Sequence, residues 1–445
     1  MSAELWRLDA TALGGLLDAG KVTPSALLEI SLARIAAFQP VLNAFTHVDA
    51  EGARAAAAAA DARQAAGARL GPLDGIPVSV KDNIFVKGMP ACWGSLLFRD
   101  HMPEQDDICV ERLRAAGAVI VGKTTTPEFA LQGRTGSRLS GITRNPWDPV
   151  LTPGGSSGGA VASVAAGMVP LAVGTDAGGS TRMPAGYTGL VGMRPSTGRL
   201  ARRYGFPPMA IDFQAIGPFA RTMRDMDLLY AVLAGPDARD PASQRFPPAP
   251  VLAPVLGARP RIGWFTAIGA EGATPEVAAA VRGAVDLLGG VATEVAAPYD
   301  LALLREVWGT LTMAGAARVA ARFPDRWREE ATAQIRGLAE RGMALPATAY
   351  VEAMDRLAVF RSGVTARWGD YDALVIPTGA APAWKAEDEA PPGLTPATQG
   401  MFCGWVNAAG LASISIPGTP HPDGRPIGVQ IVAPFGGDAV VLELA

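Results

Sequence analysis

The sequence predicts an α/β protein. Short apolar runs bounded by Gly, Pro or Asp recur along most of the chain and alternate with helical stretches, the pattern of buried strands interleaved with covering helices. Hydrophobic residues make up 49% and charged residues 18% of the 445, enough to fill a large interior. That length admits one large α/β domain or two to three ordinary ones.

From Thr11 to Ala66 the chain is rich in Ala, Leu, Glu and Arg, including "EGARAAAAAADARQAAGA", and predicts several helices coating one side of a core. After Gly71 the texture changes. In "GIPVSVKDN" the residues Ile76, Val78 and Val80 alternate with Pro77, Ser79 and Lys81, so a strand puts Lys81 on the face of Ser79. A helix over Asp107 to Ala116 leads into "AVIVG", a buried strand ending at Gly122. Ala160 to Ala166 predict a helix, Gly167 its C-cap, and Val169 to Val173 a returning strand. Residues 236–260 are Pro-rich and read as a surface connection. "RIGWF" and "DALVIP" are strands of a C-terminal lobe, 261–445, which runs into a last helix that looks cut short at Ala445 and leaves the packing of that end open.

Bulk properties exclude several classes. The formal net charge is −3 with no long single-sign run, which argues against nucleic acid or an anionic membrane as partner. Cys92, Cys109 and Cys403 lack C-x-x-C spacing, so neither a zinc site nor a disulfide framework is expected, and a reducing cytoplasm fits. "MSAELWRLDA" lacks the basic patch and apolar core of a secretory signal. The most apolar long segment, Ala160 to Val173, contains Ser163, Gly167 and Pro170 and falls short of the ~20 residues of a membrane span.

Three motifs compete for the chemistry. "GAVIVGKT", Gly117 to Thr124, matches the phosphate-loop pattern G-x-x-x-x-G-K-[ST] and suggests a nucleotide hydrolase. Its variable positions, however, read as a strand rather than a turn, and Pro127 falls where the following helix should be running. "GGSSG", Gly155 to Gly159, matches the nucleophile elbow G-x-S-x-G around Ser157. That elbow needs a strand just before it, whereas "NPWDPVLTP" is turn-rich, and the late histidine it would use, His421, sits in the turn "GTPHPDG". The third reading joins "PGGSSGG" (153–159) and "GTDAGGS" (174–180) with Lys81: glycine-dense loops can form oxyanion holes, and a helix followed by a returning strand brings Ser180 back near Ser156.

The run "GGSSGGAVASVAAGMVPLAVGTDAGGSTRMPAGYTGLVGMRPSTGR" resembles the signature segment of the amidase signature family, and "GPLDGIPVSVKDN" resembles that family's lysine strand. The spacings agree, with Lys81 and Ser156 75 positions apart and Ser156 and Ser180 24 apart. The likeness continues through "FQAIGPFARTMRDMDLLYAVLAG" and "RPIGVQIVAPFGGD", so it covers nearly the whole chain; Ala177 departs from it, standing where a larger residue is common. The resemblance implies one large domain, 1–445, with a central mixed, twisted sheet covered by helices on both sides. Within it 1–66 would be N-terminal helices, 67–235 the catalytic core, and 261–445 a lobe contributing to the substrate pocket.

It also implies a Ser-Ser-Lys triad. Ser180 attacks the carbonyl, Ser156 relays the proton to Lys81, and the N–H groups of Ala177, Gly178, Gly179 and Ser180 bind the oxyanion. The same resemblance gives a cis peptide between Gly155 and Ser156; Ser157 is expected to help orient Lys81, and Asp176 and Arg182 read as a loop brace rather than as direct participants in the chemistry. The chemistry stands independently: a serine hydroxyl needs a base, and only three histidines are present. A lysine with a reference pKa near 10.4 must titrate roughly 3 pH units lower, at a cost of about 4 kcal/mol, which desolvation at an apolar strand end can supply. No metal or organic cofactor is implied.

The expected partner is a small-molecule amide or carbamate, hydrolysed by a monomer or homodimer. Family members act on aliphatic, aryl, fatty and peptide amides, carbamates and ureas. The chain resembles the bacterial branch that includes urethane-cleaving amidases. The alternative within the family is the glutamine-hydrolysing subunit of a tRNA-dependent amidotransferase. Pocket walls are expected from "LQGRTGSRLSGIT", with Gly133, and from "PATQGMFCGWVNAAG", with Gln399, Met401, Phe402 and Trp405.

Overall fold

Side-chain alternation along buried strands sets the layers of the molecule. The computed structural model describes residues 2–248 and 254–445. Its main strands are β1 (Phe45–Val48), β2 (Pro77–Lys81), β3 (Val119–Thr124), β4 (Leu171–Asp176), β5 (Val191–Arg194), β6 (Ala215–Ala220), β7 (Ile262–Trp264), β8 (Ala292–Glu294), β9 (Ala373–Pro377), β10 (Ala412–Pro417) and β11 (Gly428–Ala433). They form one 11-stranded mixed sheet in the order β1-β3-β2-β4-β6-β5-β10-β11-β9-β7-β8. β2 is parallel to both β3 and β4, the strands from β4 across to β9 are antiparallel, and β7 and β8 run parallel to β9.

The helices are α1 (Ala10–Asp18), α2 (Pro24–Leu42), α3 (Ala50–Ala65), α4 (Ile108–Ala115), α5 (Gly158–Ala165), α6 (Arg182–Thr188), α7 (Met223–Leu233), α8 (Pro275–Asp286), α9 (Leu301–Arg322), α10 (Ala333–Met343), α11 (Ala347–Arg367), α12 (Met401–Ala409) and α13 (Asp438–Leu444). Val78, Val80, Leu171 and Val173 point into a core shared with α1, α4, α7 and α8. Val119, Val121 and Ala172 point the other way, into a core shared with α2, α3 and α5. Each such valine or leucine stabilises the fold by about 1.5–3 kcal/mol on burial. A third cluster joins α9, α11 and α12 to Leu374, Ile376 and Val432 of the sheet.

Several local expectations shift. Phe45–Val48, within the stretch expected to be helical, is a strand antiparallel to β3. β3 runs on to Thr124 rather than stopping at Gly122, because Lys123 and Thr124 stay in register with Val80 and Lys81. The returning strand starts at Leu171, not Val169: the amides of Met168 and Val169 turn back to the Ser163 carbonyl, and Pro170 has no N–H to give. Helix α2 is long and apolar enough to cross a membrane by length and composition, which the sequence reading did not single out. Its Leu27, Leu28, Ile35 and Leu42 are buried in the protein. Of the Pro-rich connection, residues 249–253 lie outside the described residues, and Pro241–Arg245 forms a short 3-10 helix. All three cysteines are free and buried.

Candidate active site

Because β2 and β4 are parallel, their carboxyl ends open at the same edge of the sheet, the usual position of a site in such sheets. Lys81 is the last residue of β2 and Asp176 the last of β4, while Ser156 and Ser157 lead into α5 and Ser180 leads into α6. The predicted alternation holds. Ser79 meets Ser163 of α5 at 2.9 Å, and Lys81, two residues on, reaches the start of the same helix.

Lys81 is fully buried. Its Nζ donates to Ser156 Oγ at 2.8 Å, to Ser157 Oγ at 2.8 Å and to Thr175 Oγ1 at 3.1 Å. Burial pulls its pKa from 10.5 to about 7, a fall that the Asp176 carboxylate opposes only in part. The neighbouring hydroxyl protons are committed: Ser157 Oγ donates to Thr175 O at 3.2 Å, and Thr175 Oγ1 donates to Asn83 Oδ1 at 3.3 Å. A neutral Lys81 therefore gives its two N–H bonds to Ser157 and Thr175 and turns its lone pair to the Ser156 hydroxyl. Ser156 is itself held by Thr126, whose hydroxyl donates to the Ser156 carbonyl at 2.9 Å, and the Gly155–Ser156 peptide is cis. Gly155 must be glycine, since a β-carbon there would fall 2.5 Å from the carbonyl oxygens of Gln132 and Arg134.

The 176–182 loop is pinned from inside. Arg182 binds Asp176 through two bonds of 3.0 Å, with both side chains fully buried. Burial alone would raise the Asp176 pKa, but the guanidinium outweighs it and holds the carboxyl far below its usual range. Asp176 also accepts the amides of Gly179 at 2.7 Å and Thr181 at 3.0 Å. This corrects the expected oxyanion set: Gly179 N–H is already engaged, whereas the amides of Ala177, Gly178 and Ser180 have no partner within the described residues. Gly179 has φ +112°, and a β-carbon on it would fall 2.6 Å from Cys403.

Ser180, 8% exposed, makes no hydrogen bond through its hydroxyl among the described residues and lines a cavity of about 450 Å³ together with Gly155, Ala177 and Gly178. The remaining walls are largely apolar: Phe129, Leu131, Met183, Leu304, Trp308 and Met401 contribute, and α9 presents one face from Leu301 to Thr312. The one charged side chain in the lining, Arg305, is tied to Glu271 by bonds of 2.6 and 2.7 Å.

The model of the family described as Amidase matches residues 26–442. The chain is also 36% identical to a glutamyl-tRNA(Gln) amidotransferase subunit of Acidothermus cellulolyticus, over 98% of this chain and 92% of that one. The chain belongs to the amidase signature family. Among solved structures, this amidase superposes with a TM-score of 0.91 at 32% identity on one from a vestigial protein complex that reveals the evolutionary origins of an s-triazine catabolic enzyme, covering 98% and 97% of the two chains. A bacterial aryl acylamidase of the amidase signature family gives 0.89 at 25% identity, covering 98% and 94%. The single-domain mixed sheet flanked by helices matches these structures, and the protein is a C–N hydrolase acting on amides.

In the amidase the expected pocket residues divide. Gly133 and Met401 line the cavity. Gln399, Phe402 and Trp405 do not: Gln399 bonds the Tyr187 hydroxyl and the Ala381 backbone, while Phe402 and Trp405 are fully buried, Trp405 stacked on Tyr299 at 4.8 Å. Apart from Asn407 the α12 sequence is apolar, so composition gives no sign of which face meets the cavity. His421 pairs with Asp423 at 2.7 Å in its turn, remote in sequence from the serines. Lys123 of the phosphate-loop match is buried in β3, where its ammonium donates to the carbonyls of Asp82, Ile84 and Pro90, so no loop exists to cradle a phosphate.

The sequence reading passed over Thr175, Asn83, Thr126 and Asn407. The first two stand inside quoted motifs as ordinary polar residues. Asn407 donates to Asp176 at 2.9 Å and accepts from Arg182 at 2.5 Å from a helix 225 residues away, a contact no local pattern announces.

Proposed function

We propose that the protein is a stand-alone serine amidohydrolase. Its substrates are small or aryl amides with an apolar body, with carbamates and esters of similar shape as further substrates. The observation that carries this reading is the buried 2.8 Å hydrogen bond between Lys81 Nζ and Ser156 Oγ, beside a cavity onto which Ser180 opens. Ser180 Oγ bonds to the carbonyl carbon while its proton passes to Ser156 and that of Ser156 to Lys81. The oxyanion that forms is met by the unpartnered amides of Ala177, Gly178 and Ser180. As the C–N bond breaks, the Lys81 ammonium returns its proton through Ser156 to the departing nitrogen. Water then attacks the acyl-Ser180 ester, with the same relay as base, and frees the acid and the enzyme.

A second reading, glutamine hydrolysis within a tRNA-dependent amidotransferase, is favoured by the likeness to the Acidothermus amidotransferase subunit. Glutamine brings an ammonium and a carboxylate, and a desolvated cation needs an anionic partner. Among the described residues the cavity lining contains no carboxylate side chain, and Arg305 is already neutralised by Glu271. This supports the apolar amide. The deciding experiment assays the purified chain and its Ser180→Ala variant on amides, anilides, carbamates, esters and glutamine. Turnover of apolar amides by the chain alone, abolished in Ser180→Ala, is expected. Turnover retained in the variant overturns the nucleophile, and glutaminase activity alone favours the amidotransferase.

A further inference from the structure

Two polar side chains in the cavity wall have polar atoms without a partner among the described residues. Thr312 Oγ1, on a residue 7% exposed, and Gln214 Oε1 are closed off from bulk water and hydrogen-bonded to nothing. Gln214 Nε2 has no partner among the described residues either. A helical threonine ordinarily returns its hydroxyl to the carbonyl three or four residues back. Thr365 does so on α11, donating to Arg361 O at 3.2 Å, whereas Thr312 on α9 does not. Buried polar groups left this way are costly in a stable fold unless water, an ion or a ligand meets them, and these two face a cavity large enough for a ligand.

Both residues line the same cavity, Gln214 next in sequence to Phe213 beside Trp308 and Thr312 on α9. The loop leading into β6 lies along α9: Arg318 donates to Pro208 O at 3.1 Å, Gly315 lies against the Met209 backbone, and the Phe213 ring sits 5.0 Å from Trp308. Trp308 in turn lies against Gly178, next to the nucleophile loop, so Thr312 stands about one helical turn, ~5.4 Å, further along α9. Around them the cavity is apolar and its charge compensated.

We propose that Gln214 and Thr312 form a polar subsite for a neutral substrate group that both donates and accepts hydrogen bonds, a carboxamide or hydroxyl placed beyond the scissile amide. The preferred substrate is then an apolar amide with one neutral polar end. This rests on the reading of the cavity as the amide site. The test compares 4-methylbenzamide with 4-carbamoylbenzamide, similar in size, by calorimetric Kd on Ser180→Ala and by kcat/KM on otherwise native protein. A preference of about tenfold or more for the carbamoyl compound is expected in both measurements. Thr312→Val and Gln214→Leu should each reduce it about tenfold, the loss of one hydrogen bond, while Thr312→Ser retains it. No preference, no binding of either compound, or equal losses on both compounds in the variants overturns the subsite. Turnover of both compounds without preference refutes the subsite and leaves the amidase standing. A Kd preference without turnover does the reverse.

Discussion

Replacing Lys81 with Met should make the protein more stable at low pH while destroying its chemistry. The folded protein holds this amine at about 7 against an ordinary 10.5, because burial penalises the ammonium. That difference corresponds to about 5 kcal/mol of destabilisation when the group is charged. Between those two values the unfolded chain carries a proton that the folded chain has released, so stability rises with pH through the window. The penalty is complete below about pH 7 and gone above 10.5. Methionine never incurs it. The hydrogen bonds to Ser156, Ser157 and Thr175 are lost in exchange, at about 2–3 kcal/mol, leaving a net gain of roughly 2–3 kcal/mol. For a chain this long that is a rise in Tm of a few degrees. Scanning calorimetry of both proteins near pH 6, 8 and 10 checks it. The expected result is a positive Tm difference at pH 6 that falls with rising pH and turns negative by pH 10, where the penalty has nearly gone and the lost hydrogen bonds remain. A Lys81→Met protein less stable than wild type at pH 6, or a difference independent of pH, would refute the claim that the lysine is held as a desolvated amine.

The same variant should lose ~10³-fold or more on an anilide but noticeably less on a matched nitrophenyl ester, whose leaving group needs no proton; equal losses on the two would mean the lysine is not the terminal acid and base. Wild-type kcat/KM on an amide should rise with pH through an apparent pKa near 7, since the neutral amine is the active form, and a profile flat from about pH 6 to 9 would contradict this. Asp176→Asn leaves Arg182 charged, buried and unpaired, so a loss of about 3–5 kcal/mol is expected, read as a fall in Tm together with lost activity. An unchanged Tm would remove the brace.

What the sequence made legible follows the range of each interaction. Lys81 could be placed on the Ser79 face because strand alternation is a local rule, and the register of β2 on β4 confirms the side it takes. The phosphate-loop match could be discounted because a run of β-branched residues belongs in a strand, and β3 is one. The pocket was harder. Met401 and Trp405 lie on the same apolar helix, yet one lines the cavity and the other is stacked in the core, because only the packing of α9 and α11 around α12 decides which face is open. Gly179 was grouped with its neighbours as an oxyanion donor since glycine-rich loops do not reveal which amide a carboxylate will claim.

The buried arginine has an implication for how this enzyme can change. Arg182 donates hydrogen bonds to Asn407 and the Cys403 carbonyl on α12 and to Gln430 on β11, so the helix that supplies Met401 and Gly404 to the cavity also steadies the 176–182 loop. Substitutions on α12 therefore alter selectivity and turnover together. Helix α9 meets that loop through Trp308 against Gly178, while Leu301, Leu304 and Gly309 face the cavity from elsewhere along its length. Exchanges at Leu301 or Gly309 of α9 are accordingly expected to reshape the cavity with less effect on the Arg182 brace than exchanges on α12.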